Sequence, residues 1–339
     1  MGLLKKKNNM IILGLGHFVP ENILTNKQLE QMVDTSDEWI TTRTGIKARR
    51  IAKKGVACSD LAYNASKNAL ENAKLDPIDI THVIVGTFTS DYCAPATACL
   101  LQAKLGSKKC EMAIDIAAGC SGFTYGLELA RGIVANKPEA KVLVVGSEVC
   151  SSRMNFKDRN TCVLFGDGAG AAIVTGHLDG CPQIISQVID IELKTIGELG
   201  HLLMVGLEGG SAEPFALGQR VSEKYFARMK GREVFKHAVR NMTEISEHIL
   251  KKNNFTSQDV DLFIPHQANY RIIEAIAKKM NIPMEKVFIN VDKYGNTSAA
   301  SIILALSEAY SYGRIKKGDL VLLATFGAGF TVASVILKF

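Results

Sequence analysis

The feature that most constrains this 339-residue chain is that it reads twice. "DPIDITHVIVGT" (76–87) and "TSQDVDLFIPHQ" (256–267) each pass from a polar turn into a buried apolar run. A helical stretch follows in both cases, then a strand: Ala113–Ile116 in the first, Val287–Val291 in the second. "AGCSGF" (118–123) and "YGNTSA" (294–299) each set a glycine, a polar residue and a hydroxyl at a turn that opens a helix. "AKVLVVGSE" (140–148) and "GDLVLLATFG" (318–327) close the series. Elements recurring in one order mark two copies of one α/β unit, joined in the region 175–225. The segment Gly180–Arg228, glycine-rich around 206–210, reads as an irregular insertion or binding loop. No low-complexity linker divides the copies, so an N-terminal half (1–182) and a C-terminal half (183–339) should pack as one body.

Within each copy, short apolar strands alternate with amphipathic helices. Ser59–Leu75 reads as a helix, with Ser59 as cap, alanines at helical spacing and Asp76–Pro77 as its stop. Val83–Val85, Ala113–Ile116, Leu143–Val145 and Ala171–Val174 read as buried strands. Continuous apolar strands separated by helices predict a mostly parallel sheet covered on both faces. "FGDGAGA" (165–171) lacks the dinucleotide spacing and reads as close packing between the halves.

Composition removes several function classes. Apolar residues at 47% and charged residues at 22% exclude dominant disorder. The net charge of +6, part of it in Lys5, Lys6 and Lys7, fits an anionic partner without requiring nucleic acid. No apolar run approaches a membrane span, and Met10–Leu15 is too short for a signal peptide, so a cytoplasmic location is expected. Eight cysteines without a C-x-x-C pair make a disulfide framework or a metal site unexpected. Most should be small buried hydrophobes.

Three residues stand apart. Cys120, among the small residues of "AAGCSGF", lies between a strand and a helix, where a helix N-terminus stabilises a thiolate. A buried structural cysteine is the competing reading. His266, in "PHQANYRI", directly follows a strand, at the sheet end where open α/β folds place site residues; alone it could equally be a surface or capping histidine. Asn296, in "YGNTSAAS", could be no more than a helix cap. It occupies the turn that corresponds to Cys120 in the other copy, so a pseudo-twofold would bring the two together. The glycines of "FGAGF" (326–330) let backbone N–H groups approach a ligand closely.

The set "TSDEWITTRTGI", "AAGCSGF", "FGDGAGA", "GREVFKHAV", "PHQANYRI", "YGNTSAAS" and "FGAGF" closely resembles β-ketoacyl-acyl carrier protein synthase III, of the thiolase superfamily. The resemblance runs from about residue 10 to Phe339. It implies an α/β, thiolase-like, duplicated five-layer αβαβα fold, a homodimer, and the initiating condensation of type II fatty acid synthesis. In that reaction Cys120 takes an acyl group from acyl-CoA. Malonyl-acyl carrier protein is then decarboxylated and attacks the acyl-cysteine, with His266 and Asn296 donating to the developing enolate oxygen. The resemblance further implies an oxyanion pocket from the backbone N–H groups of Cys120 and Ala328. It places Trp39, Arg43, Gly231, Phe235, Ala238 and Asn269 on a CoA and pantetheine path, with Arg153 as the arginine opposite Trp39. Arg271, Lys236, Arg240, Lys278 and Lys279 would form a basic surface for the acidic carrier protein, and Ala94 would reach the partner subunit's acyl pocket. No cofactor is implied, acyl-CoA being a substrate. Other readings keep the fold and change the substrate to polyketide, alkylquinolone or hydroxymethylglutaryl-CoA chemistry, or make the chain a non-catalytic CoA binder or a cysteine hydrolase.

Overall fold

The computed structural model describes residues 10–177, 181–216 and 218–339. Lys5, Lys6, Lys7 and Gly180 lie outside the described residues. Nine strands carry the architecture: β1 Ile11–Phe18, β2 His82–Gly86, β3 Met112–Ile116, β4 Val142–Glu148, β5 Gly168–Thr175, β6 Ser186–Thr195, β7 Leu262–Pro265, β8 Leu320–Gly327 and β9 Thr331–Lys338. They form one hydrogen-bonded order, β3-β2-β4-β5-β1-β6-β9-β8-β7, whose five-stranded part (the first sheet) and four-stranded part (the second sheet) join where Ile11 and Ile12 pair with Gln187 and Ser186. Position for position, β6, β7, β8 and β9 repeat β1, β2, β4 and β5, which is the duplication read in the sequence.

Parallel pairing is confined to β2 with β3 and β4, and β7 with β8. The remaining ladders, β4 to β5, β5 to β1, β1 to β6, β8 to β9 and β9 to β6, are antiparallel. The expectation of a mostly parallel sheet is thereby corrected. These strands are continuous apolar runs because helices cover both faces, and that burial does not depend on strand direction.

Seven helices supply the other layers. Helices α2 (Cys58–Ala73) and α3 (Thr97–Leu105) cover the outer face of the first sheet. Helices α4 (Gly122–Asn136) and α7 (Ser301–Ser311) fill the space between the sheets. Helices α5 (Gly231–Lys252) and α6 (Tyr270–Lys279) cover the outer face of the second, and α1 (Asp37–Thr44) packs at the start of α6. Side-chain alternation sorts each strand between layers. In β4, Val142 and Val144 face α4, whereas Leu143 and Val145 face α2. Helix α2 begins at Cys58 with Ala57 as its cap, and Ser59 instead donates to Asp91 at 2.5 Å.

Two further expectations change. Ser186–Thr195 is a ten-residue strand inside the segment read as irregular. A register shift opposite Ile336/Leu337 breaks its alternation, which hides the period of two. Val287–Val291 makes only one bridge, Phe263 to Val287. The Gln267 side-chain carbonyl accepts from the N–H groups of Asn290 and Val291 at 2.9 and 3.2 Å, removing them from any ladder. Close packing at "FGDGAGA" is seen directly: a Cβ on Gly170 would lie 2.6 Å from Ile303 and 2.8 Å from the Leu304 nitrogen. Among the described residues, no helix is long and apolar enough to cross a membrane.

Candidate active site

The site forms where the two central helices begin. Gly119–Ser121 is a single turn that leads from β3 into α4 and carries Cys120. Gly119 has φ +51°, the left-handed region that side chains avoid, and a Cβ there would lie 2.8 Å from the Ala328 nitrogen. A Cβ on Gly327 would lie 2.7 Å from the Cys120 nitrogen. The missing side chains thus let the turn carrying Cys120 and the turn carrying Ala328 close on each other, with both backbone nitrogens at the contact. Neither has an oxygen acceptor among the described residues.

The matching turn, 296–300, leads into α7 and contacts the Cys120 turn directly. Asn296 is anchored by its backbone, its N–H donating to Leu164 at 2.8 Å and its carbonyl accepting from Gly166 at 3.0 Å. Its side-chain Oδ1 accepts from the Ser298 N–H at 2.8 Å. The acceptor end is therefore occupied, and the NH2 end is left to donate. His266 follows β7, tied to the sheet by its N–H to Ala324 at 2.8 Å. Its Nδ1 lies 2.5 Å from the hydroxyl of Ser301, the first residue of α7.

Cys120, His266 and Asn296 are all buried, and each from a different segment. Burial pushes the Cys120 thiol up to about 12, although the Ser298 and Asn296 side chains and its own N–H pull the other way. Burial thus works against the thiolate that the helix terminus was expected to stabilise. Burial lowers His266 to about 3, so its imidazole is neutral. In the tautomer where Ser301 donates to Nδ1 the proton sits on Nε2, and His266 and Asn296 then both offer neutral N–H donors. Donors fixed in a buried site stabilise negative charge as it develops on a substrate oxygen.

A cavity of about 510 Å³ reaches from these three residues to the surface. Trp39, Arg43, Gly231, Phe235, Ala238 and Asn269, which the resemblance placed on a CoA path, line it, together with Arg271 from the expected carrier-protein surface; Arg153 does not. Asn269 caps α6 and donates to the Arg43 carbonyl at 3.0 Å, joining the end of α1 to the start of α6. A second, mainly apolar cavity of about 470 Å³ lies on the other side of Cys120, walled by Phe88, Met154, Val205, Leu207 and Ala328.

A family model described as 3-oxoacyl-[acyl-carrier-protein (ACP)] synthase III matches residues 114–196, and the C-terminal model of that synthase matches residues 250–339. The β-ketoacyl-[acyl-carrier-protein] synthase III of Nitratidesulfovibrio vulgaris (strain DP4) is 54% identical over 329 residues, 97% of this chain and 98% of that one. The chain belongs to the β-ketoacyl-[acyl-carrier-protein] synthase III family. It is an acyltransferase, the initiating condensing enzyme of fatty acid synthesis. The crystal structure of the synthase III from Aquifex aeolicus VF5 superposes with a TM-score of 0.87 at 46% identity, covering 97% of this chain and all 100% of that one. The synthase III from Thermus thermophilus gives 0.88 at 43% identity, covering 97% and 98%. These neighbours share the α/β thiolase-like fold.

In this synthase III chain the arginine facing Trp39 is not Arg153. The Arg153 guanidinium stacks 4.9 Å from the Tyr225 ring and bonds the Tyr225 hydroxyl, because Arg153 sits in the turn after β4. Arg159 is the residue that reaches Trp39, its guanidinium 5.3 Å from the ring centre, and Arg43 stacks at 4.7 Å. Its place in "DRNT" was the available signal: Asp158 caps a short helix and turns Arg159 outward. Arg159 is held there by the Asp34 carbonyl at 2.9 Å. Arg232 also lines the first cavity and was not singled out. Lys236, Lys278 and Lys279 are exposed on α5 and α6, away from the cavity wall. Arg240 is paired with Glu244 at 2.8 Å. Ala94 is exposed and lines neither cavity of the single chain.

Proposed function

We propose that Cys120 accepts the acyl group from acyl-CoA and that His266 and Asn296 then stabilise the enolate formed when malonyl-acyl carrier protein loses CO2. The observation that carries this is the meeting of one thiol and two neutral N–H donors, from opposite halves of the duplicated fold, at the floor of one cavity. On this reading the halves are 1–182 and 183–339. The backbone N–H groups of Cys120 and Ala328 hold the oxyanion of each tetrahedral intermediate. Pantetheine threads past Gly231, Phe235, Ala238 and Asn269. The CoA adenine meets Trp39 with Arg159, and Arg43 neutralises phosphate. Acyl-CoA is a substrate, so the reaction needs no cofactor.

Arg271 at the cavity mouth, with Lys236, Lys278 and Lys279 on the adjoining helices, supplies positive charge that would steer an acidic carrier protein. The active form is a cytoplasmic homodimer in which Ala94 faces the partner's second cavity. A methyl group there leaves room for primers longer than acetyl.

The test separates the half-reactions. Cys120→Ala should abolish acylation yet still decarboxylate malonyl-carrier protein. His266→Ala and Asn296→Ala should acylate yet lose decarboxylation by about 100- to 1,000-fold. Near-normal decarboxylation by His266→Ala would refute its role. Malonyl-CoA accepted as readily as malonyl-carrier protein would remove the carrier protein from the reading, and strict acetyl-CoA preference would remove the longer primers.

A further inference from the structure

Glu148 ends β4 with its carboxyl fully buried, and among the described residues no cation pairs with it. The Thr89 and Thr87 hydroxyls donate to its Oε2 at 2.5 and 3.1 Å, and the Phe88 N–H reaches both oxygens at 3.3 Å. The titratable groups around it are thiols: Cys58 from α2, Cys150 from the turn after β4, and Cys120. Asp91 stands against Cys58 and Asp167 against Cys150. Burial raises the Glu148 carboxyl to about 7, where it exchanges a proton near neutrality.

Ser298 opens the turn that packs against both the strand ending at Glu148 and the turn carrying Cys120. It holds φ +50°, unusual for a residue with a side chain, and lines the second cavity beside Cys120. Its hydroxyl is buried with no regular hydrogen-bond partner among the described residues, and its side chain favours the charged form of both the thiol and the carboxyl. A buried hydroxyl left free beside a thiol and a carboxylate can pass a proton between them. The need is real, because a thiol must lose its proton before it attacks. His266 is a poor acceptor: it is buried with no carboxylate beside it, and its Nδ1 is engaged by Ser301.

We propose that Glu148 receives the Cys120 proton during acylation, through the Ser298 hydroxyl. This rests on Cys120 being the acyl acceptor. The thiol proton passes to Ser298 Oγ as the Ser298 proton passes to Glu148. The sulfur bonds to the acyl carbon, the bond from that carbon to the CoA sulfur breaks, and CoA leaves as a thiolate that solvent protonates. When the malonyl-derived enolate later attacks, Cys120 leaves as a thiolate and Glu148 returns the proton by the same path. One proton is consumed per turnover, as decarboxylative condensation requires.

The experiment measures single-turnover acylation of Cys120 by acetyl-CoA, read by mass, from about pH 5 to 9, beside malonyl-carrier-protein decarboxylation. Wild-type acylation should fall as the pH drops through about 7, because a protonated Glu148 accepts nothing. Glu148→Gln and Ser298→Ala should each slow acylation by about 100-fold and lose that inflection, with decarboxylation little changed. Ser298→Ala keeps the N–H that holds Asn296, and it decides the matter alone if Glu148→Gln does not fold. Wild-type rates with the inflection retained in Ser298→Ala overturn the relay, as does an equal loss of both half-reactions. A wild-type enzyme that takes no acetyl group on Cys120 defeats instead the acyl-acceptor assignment beneath it.

Discussion

His266 Nδ1 and Ser301 Oγ lie 2.5 Å apart, across the junction of the second sheet with a central helix. The contact couples the Ser301 hydroxyl to the tautomer of the imidazole. With Ser301 donating to Nδ1, Nε2–H points into the cavity as a donor. Ser301→Ala should therefore lower malonyl-carrier-protein decarboxylation by roughly 5- to 10-fold, the worth of about 1 kcal/mol of orienting hydrogen bond. Cys120 acylation should be unaffected. A decarboxylation rate equal to wild type would show that the tautomer is set by something else.

Trp39 lies between two guanidiniums, Arg43 and Arg159. An aromatic face flanked by cations at a cavity mouth suits a flat anionic ligand such as the nucleotide end of CoA. Trp39→Ala and Arg159→Ala should each raise the KM for acyl-CoA by roughly 3- to 30-fold, from the ~0.5–2 kcal/mol such contacts contribute. The double variant should lose less than the product, since both act on one ligand group. Arg153→Ala should leave this KM unchanged because its guanidinium faces Tyr225. Steady-state kinetics with acyl-CoA varied at saturating malonyl-carrier protein would read all four enzymes.

The parts of the site legible in sequence were those fixed by backbone chemistry. The turns around Cys120 and Asn296 need glycines, small residues and hydroxyls in a set order, and that order appears twice. Residues that act by reaching across space left little trace. Arg159 meets Trp39 across more than a hundred residues, and the nearer Arg153 carried the same charge. Ser301 reads as an ordinary start to a helix until His266 is seen beside it. Strand direction was also hidden, because helices bury both faces of parallel and antiparallel strands alike. In Ser186–Thr195 a bulge broke the one pattern that would have announced a strand.

The lowered pKa of His266 has a consequence for stability. Its value falls from 6.5 in the unfolded chain to about 3 in the folded one. Between those values the unfolded state binds the extra proton, so stability rises with pH there and is lost as pH falls through the window. Wild type should lose stability relative to His266→Asn below about pH 6.5, by at most about 1.4 kcal/mol per pH unit. Glu148 titrates in the opposite sense, but it is common to both proteins and cancels in the difference. Urea unfolding of the pair at several pH values measures it. Decarboxylation should likewise show no inflection near 6.5 from this group.

Gly170 offers a test of how the halves hold the site. It lies on β5, in the first half, where α7 of the second half crosses. A methyl group there would sit 2.6 Å from Ile303 and 2.8 Å from the backbone nitrogen of Leu304. Ile303 could turn aside, but the backbone could move only with its helix. Gly170→Ala should therefore destabilise the fold by about 1–3 kcal/mol, as overpacking of a tight core does. The displaced helix begins at Ser301, so the damage should also reach the His266 hydrogen bond. Both half-reactions should fall in the folded variant, decarboxylation through the His266 contact and acylation through Ser298, which sits on the turn leading into the same helix. Urea midpoints with the two half-reaction rates would show this, and unchanged rates in a destabilised variant would mean that α7 does not set the geometry of either group.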